Sequence, residues 1–535
     1  MKTMISSIIL ASCLALPLAS CSDSDVAPEQ KDWSTTTYFY SADAAMQDTY
    51  YKPTVGYVGD PMPFFDPVAG DFKVLYLQDF RPNPEGTYHP IWGVSTKDAA
   101  HYTSLGELVA CGTKKSQDAA IGTGSTIYDE ASKLYYTFYT GNKYLPTGDE
   151  SAQAVMVATS PDFKTWTKDR TFLLKGQDFG YDKNDFRDPF VFKGDDGKFH
   201  MLVSTKKSGK GSLAEFVSDD LKNWTDNGVF MTMMWDRFYE CPDLFKMGDY
   251  WYLVYSEIHH AVRRVQYFKG RTLDELKACT ANDAGIWPDA HEGFLDSRGL
   301  YAGKTASDGT NRYLWGWCPT RSGKDNTAVG ASPAEPEWGG NLVCYKLIQH
   351  EDGTLTLGQV DAVSEKYNQD VAVEVKESQN MTEADGTYTL AGNAELPDAY
   401  MLMGRLGNHN KISFTVTTTD KWDKFGISMV RGSDSKKYYT MVVNPENENN
   451  RKVNFEEQGV EGKGFIAGID GYVFARPADN VYNITIYTDN SICVMYINDV
   501  CSYTNRIYGI QKNCWSINSY NGANVKVSNL KISQY

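Results

Sequence analysis

Beyond its N-terminal stretch this chain almost never spaces apolar side chains at helical intervals. Short strand-like runs take over, such as Lys73 to Phe80, Leu134 to Thr140, Phe199 to Ser204 and Trp251 to Tyr255, bounded by Gly, Asp, Asn and Pro. Branched and aromatic side chains fit a pleated, half-buried surface, and the bounding residues turn the chain between ladders. The pattern restricts the 535 residues to an all-β fold, and a chain of that length divides into two domains.

A weak repeat narrows the architecture. Thr96-Lys97-Asp98 leads to Tyr102, Ser160-Pro161-Asp162 to Trp166 and Ser218-Asp219-Asp220 to Trp224, each ring four residues after its aspartate. These aspartates lie 64 and 58 residues apart, and Asp274 of Thr272-Leu273-Asp274 follows 54 residues later. A unit of that size holds about four strands, one blade of a β-propeller. In each unit the hydroxyl and carboxylate can cap a tight turn with the ring packed beneath it, which is a structural role. Continued over residues 46–364, the spacing makes about five blades.

After that the texture changes. Glu365 to Val375 is polar and linker-like. Cleaner alternation follows: Ile412, Phe414, Val416; then Ile484, Ile486, a turn at Asp489-Asn490, and Ile492, Val494, Tyr496; finally Val525, Val527, Leu530, Ile532. One buried and one wet face per strand suits a C-terminal β-sandwich over residues 365–535.

The first residues read as an export signal. Lys2 precedes a mostly apolar stretch from Ile5 to Leu18, and Leu18-Ala19-Ser20-Cys21 resembles a bacterial lipobox. The expectation is a lipoprotein signal peptide over 1–20, lipid attachment at Cys21 and a polar tether over 21–45. The protein would then be an exported bacterial lipoprotein of the cell envelope, facing the periplasm or the cell surface. No later segment has the roughly 18 uninterrupted apolar residues that would span a bilayer. A net charge of -16 argues against a nucleic-acid partner, which needs clustered Lys and Arg. Apart from Cys13 and Cys21 the cysteines are scattered, without C-x-x-C pairs or His at metal spacing, so they read as buried thiols rather than a metal site.

Three segments carry the chemistry: Gly59-Asp60-Pro61-Met62, Phe186-Arg187-Asp188-Pro189 and Tyr239-Glu240-Cys241-Pro242-Asp243. Each sets an acid beside Pro and aromatic residues at the entrance of an apolar strand. The acids are 128 and 52 residues apart, which puts them on different blades. A propeller aims the start of each innermost strand at its central channel, so Asp60, Asp188 and Glu240 would converge. Glycoside cleavage needs such a set: one carboxyl protonated to assist the leaving oxygen, another ionised to attack or stabilise the oxocarbenium-like centre. Arg187 would hold Asp188 ionised, and its fork could also bind sugar hydroxyls.

In this order the three segments resemble glycoside hydrolase family 32, the invertase, inulinase and levanase family. Arg187-Asp188-Pro189 and Glu240-Cys241-Pro242-Asp243 match its signatures fully. Gln78, Trp92-Gly93, Thr123-Gly124-Ser125, Asp296 with Tyr301-Ala302, Gly316-Trp317-Cys318 and Trp338-Gly339-Gly340-Asn341-Leu342 are similar to its smaller motifs. The resemblance implies a five-bladed β-propeller followed by a β-sandwich and a retaining hydrolase of β-fructofuranosidic bonds in fructans or sucrose-type saccharides. It makes Asp60 the nucleophile, Asp188 the transition-state stabiliser and Glu240 the acid/base, with no metal or cofactor required. Gln78, Trp92, Thr123, Ser125, Arg187 and Trp317 become substrate-binding candidates, with Trp338 as a second ring for stacking. The segment at Asp60 departs from the family, because Gly59 stands for an asparagine and Met62-Pro63 for Asn-Gly. Two other readings stay open: an inverting arabinanase-like or xylosidase-like enzyme on the same propeller, and a non-catalytic surface glycan-binding protein.

Overall fold

The computed structural model describes residues 49–80, 89–233, 238–257, 264–279, 292–321, 336–431, 438–446, 453–458, 474–511 and 513–535. The signal, the tether and Cys21 lie outside these residues.

Blade I is β1 to β4 (Tyr57–Asp66, Asp71–Asp79, Ile91–Thr96, Thr103–Val109). Blade II is β5 to β8 (Ala120–Asp129, Leu134–Asn142, Gln153–Ser160, Thr167–Lys168). Blade III is β9 to β12 (Phe186–Lys193, Phe199–Lys207, Lys210–Ser218, Thr225–Thr232). Blade IV is β13 to β16 (Glu240–Met247, Tyr250–Glu257, Arg264–Gly270, Glu292–Phe294). Blade V is β17 to β20 (Tyr301–Ser307, Arg312–Arg321, Pro336–Gln349, Leu355–Gly358). Within every blade, strands consecutive in sequence pair as neighbours. The apolar core lies between blades. Blades I and II share a cluster around Leu75, Ile121 and Tyr139. Blades II and III meet at Phe138, Phe186 and Phe216, and III and IV at Leu202, Leu253 and Phe268.

The repeat read from sequence is the turn before the last strand in three blades. In blade II the Ser160 hydroxyl donates to Asp162, whose carboxylate accepts from the Lys164 and Thr165 amides, both at 2.8 Å. The Trp166 indole then donates to the Phe163 carbonyl. Trp224 does the same to Leu221, and the Tyr102 hydroxyl to Ala99. The accepting residues stand at φ of 59°, 62° and 58°. The fourth copy differs, because the Thr272 hydroxyl caps the N-terminus of a short helix, Leu273–Lys277, by accepting from the Glu275 amide.

The C-terminal module packs an eight-stranded sheet on a six-stranded one. His409–Thr418 alternates strictly and buries Ile412, Phe414 and Val416 against Phe425, Ile427 and Met429 of the other sheet. The stretch read as a linker is ordered. Asp361–Lys366 is a helical turn and Gln369–Val371 pairs with the final strand, Asn524–Gln534. All three residues of that edge strand are exposed, so backbone pairing formed it without the apolar pattern that sequence reading depends on.

The sandwich clasps the seam of the propeller. Blades V and I are joined by one strand pair, Val58 opposite Gly340. Buried Asp489 of the sandwich accepts from the Thr49 and Tyr50 amides just before blade I. Arg506 donates to the Cys318 and Pro319 carbonyls and to the Asn341 side chain of blade V. Asp296 accepts from the Ser502 and Thr504 hydroxyls and the Thr504 amide. Among the described residues no disulfide is formed, and the cysteines are buried except Cys514, which is partly exposed.

Candidate active site

Each innermost strand carries one extra residue against its neighbour at the channel end. The register slips between Gly59 and Met62, Gly122 and Gly124, Arg187 and Phe190, Glu240 and Asp243, and Tyr301 and Lys304. A bulge bends the strand and re-aims its side chains. Asp60, Asp188, Cys241 and Ala302 take positive φ there, at 34°, 58°, 51° and 52°, and three of them precede a proline. Such backbone costs about 1–3 kcal/mol per residue and persists where its surroundings over-determine it.

The bulges form two rings of residues. Asp60, Thr123, Asp188, Cys241 and Ala302 occupy one position; Gly59, Gly122, Arg187, Glu240 and Tyr301 occupy the one before it. This sharpens the expectation from sequence. Asp60 and Asp188 are equivalent, whereas Glu240 stands one residue earlier and Cys241 takes the equivalent place.

All three acids line one pocket of about 180 Å³, with Leu77, His89, Ile121, Gly122, Thr123, Asn142, Arg187, Cys241, Tyr301 and Trp338. Both oxygens of Asp60 are held, Oδ2 by the Thr123 hydroxyl at 2.8 Å and Oδ1 by the Trp317 indole N–H at 3.0 Å. Glu240 accepts from Arg187 Nη2 at 3.1 Å and from the Tyr301 hydroxyl. Asp188 accepts the Cys241 amide at 2.9 Å, and its own amide donates to Thr140. Burial pushes the Asp188 carboxyl up to about 6; Arg187 opposes this, and the charges of Glu240 and Asp60 add to it. Arg187 lowers the Asp188 carboxyl without offsetting its burial, and it donates to Glu240 and, at 2.7 Å, to Asp185. Burial alone would lower the Arg187 guanidinium; Glu240, Asp188 and Asp185 raise it. Phe238 stacks on it at 3.8 Å.

The remaining candidates divide. Thr123 and Arg187 line the pocket. Trp317 is fully buried and reaches Asp60 through its N–H rather than offering a face for stacking. Ser125 is consumed between blades, donating to the Pro189 carbonyl and accepting the Val191 amide, both at 2.9 Å. Gln78 is fully buried and donates to the Val55 carbonyl at 2.5 Å. Trp92 packs edge-on against Phe80 at 5.8 Å. Neither Gln78 nor Trp92 is among the pocket-lining residues, because both sit where blade I meets its own N-terminal segment. Sequence reading did not select Tyr301, Asn142 or His89 for the site. Tyr301 had a usable signal, since it follows Glu240 by 61 residues, one blade. His89 had none; its ring stacks on Trp338 at 4.1 Å.

Residues 50–360 match the model for the glycosyl hydrolases family 32 N-terminal domain. The chain belongs to glycosyl hydrolase family 32. Residues 353–532 match the C-terminal domain described for that family as BT1760-like. An insoluble isoenzyme of β-fructofuranosidase from Arabidopsis thaliana is 27% identical over 310 residues, 52% of this chain and 50% of that protein. A sucrose-6-phosphate hydrolase from Vibrio alginolyticus is 26% identical over 240 residues, 42% of this chain and 45% of that protein. The chain spans about half the length of the curated relatives it matches. The exo-inulinase from Aspergillus awamori shares the fold with a TM-score of 0.67 at 16% identity, over 91% of this chain and 98% of that one.

Family 32 membership makes the departures at Asp60 informative. A Cβ on Gly59 would lie 2.2 Å from Cη2 of Trp338, so the indole occupies the space of a side chain at 59. Met62 is buried, and its sulfur accepts the Gly124 amide at 3.1 Å. Both replacements therefore have partners of their own.

Proposed function

We propose that this protein hydrolyses β-fructofuranosyl bonds of fructans or sucrose-type saccharides with retention of configuration. The observation that carries the reading is the meeting of Asp60, Asp188 and Glu240 in one pocket, with Asp60 and Glu240 each held by two donors. In this reading Asp60 attacks the anomeric carbon while Glu240 gives its proton to the leaving oxygen, and a fructosyl ester forms on Asp60. Glu240 then takes a proton from water, and the water oxygen attacks the same carbon and frees Asp60. The Tyr301 hydroxyl suits both states of Glu240, because a hydroxyl can donate or accept. Asp188, ionised above about pH 6, faces the positive charge that develops on the ring. A pocket of about 180 Å³ is small beside drug-sized sites and fits one sugar residue. The Arabidopsis relative's name, a β-fructofuranosidase, supports the substrate class. Attachment through Cys21 would place this chemistry at the cell envelope.

The test is product analysis on sucrose, inulin and levan, with NMR of the first anomer released. Fructose or fructo-oligosaccharides with retained configuration are expected. Inversion, or cleavage of an arabinofuranoside in place of all three, would replace this reading with the arabinanase-like one. Fructan binding without turnover would make the protein a glycan-binding module.

A further inference from the structure

Lys304 of β17 is 2% exposed and belongs to none of the roles above. Its side chain crosses the propeller channel from blade V to blade II, where Nζ donates to the Gly124 carbonyl at 2.8 Å. The ammonium lies 5.2 Å from the centroid of the Phe190 ring of blade III. Burial pushes the Lys304 ammonium down, and Cys241 and Asp243 of blade IV, Asp188 of blade III and Asp60 of blade I push it back up. Asp243 also feels Arg312 of blade V and accepts the Thr305 amide. Asp188 feels Arg187, Glu240 and Asp60 as well. One buried lysine of blade V is thus addressed by groups from the four other blades.

The Gly124 residue that it grips is fixed on both sides. Its amide donates to Met62 and its carbonyl accepts from Lys304. A Cβ there would lie 1.8 Å from the Phe138 carbonyl oxygen, so only glycine fits. The residue before it is Thr123, whose hydroxyl holds Asp60. We propose that Lys304 is a positioning residue for the reaction, supplying the buried counter-charge that Asp60 and Asp188 share and clamping the Gly124 peptide so that Thr123 faces Asp60. The inference rests on the roles assigned to Asp60 and Asp188 above. Two carboxylates and a third acid in one pocket repel one another, and a cation near them favours their ionised forms.

The experiment compares Lys304→Met, Lys304→Gln and Lys304→Arg in the full-length protein by the pH profile of kcat/KM. In Lys304→Met the acidic limb moves to higher pH by about one unit and the plateau falls roughly tenfold or more. Lys304→Gln keeps a donor for Gly124 without the charge, so its limb moves while its plateau falls less. Lys304→Arg returns the limb to the wild-type position. A lowered plateau with an unmoved limb in both neutral variants, or failure of all three to fold, makes Lys304 purely structural and overturns the proposal. Should the wild type turn over no β-fructofuranoside, the functional reading fails by itself. The charge assignment is then read from the ¹³C titration of the Asp188 carboxyl, identified with Asp188→Asn. An upward shift in Lys304→Met supports the assignment, and an unmoved titration overturns it.

Discussion

Asp188→Asn is expected to abolish turnover and to stabilise the protein. The carboxyl is buried and is lifted from its ordinary 3.8 to about 6. At about 1.4 kcal/mol per pH unit, that lift corresponds to roughly 3 kcal/mol of folding stability withheld when the group is ionised. A raised acid binds its proton more tightly folded than unfolded, so stability falls as pH rises from about 4 to about 6 and stays low above that. Asparagine keeps the shape and can still accept the Cys241 amide, yet carries no charge against Glu240 and Asp60. The stabilisation expected at pH 7 is about 1–3 kcal/mol, with the upper figure the full relief of burial. Near pH 4 the advantage should shrink towards zero, because the wild-type carboxyl is then largely protonated. Denaturant unfolding of both proteins at pH 4, 5.5 and 7 measures this, with near-UV dichroism reporting the propeller. Equal stability at pH 7, or a difference that does not vary with pH, would refute the view of Asp188 as a buried charge held at a cost. Activity supplies the opposite sign. If the ionised form stabilises the transition state, wild-type kcat/KM should decline below about pH 6, and Asp188→Asn should retain less than roughly a thousandth of it.

Three further outcomes follow from particular contacts. Tyr301→Phe removes one of the two donors to Glu240, and a hydrogen bond to a charged group is worth about 1.5–3 kcal/mol, so steady-state kcat/KM should fall roughly 10- to 100-fold with the melting temperature little changed. Gly59→Asn brings back the residue common in the family but drives its Cβ into Trp338. Overpacking of this kind costs about 1–3 kcal/mol, and the displaced indole should raise KM roughly tenfold or more. Arg506→Ala removes the donors to the Cys318 and Pro319 carbonyls and to Asn341 Oδ1 at the seam. It should destabilise by about 3 kcal/mol or more and lower the calorimetric melting temperature, and lysine should restore little because it lacks the planar fork.

Much of this architecture was legible from residues alone because its signals are local. Alternation along His409–Thr418 set the sandwich face, and the Ser/Thr-x-Asp turns with their rings marked blades I to III, since every bond in those turns closes within a few residues. The fourth copy, at Thr272, failed as a turn and became a helix cap, because the same hydroxyl can cap either. Asp-Pro and Glu-Cys-Pro pointed to the acids for a reason the sequence did not display, which is that a residue at positive φ before proline marks a bulge. Nothing local distinguishes Ser125, spent between blades, from Thr123 two residues earlier, whose hydroxyl reaches Asp60; a bulge shifts one and not the other.

The sequence by itself determined the all-β class, the propeller-plus-sandwich fold and the family, and it nominated the three acids. Those follow from side-chain periodicity and from short contiguous motifs. Tertiary structure alone decided which donors hold each acid, that Glu240 stands one position before the ring of Asp60 and Asp188, that Trp338 fills the space beside Gly59, and that Lys304 reaches across the channel. Each of these joins residues from different blades, dozens to hundreds of positions apart. Their distances are set by how five sheets close around an axis, a closure that the sandwich clasps at its seam, and no local pattern along the chain encodes that geometry.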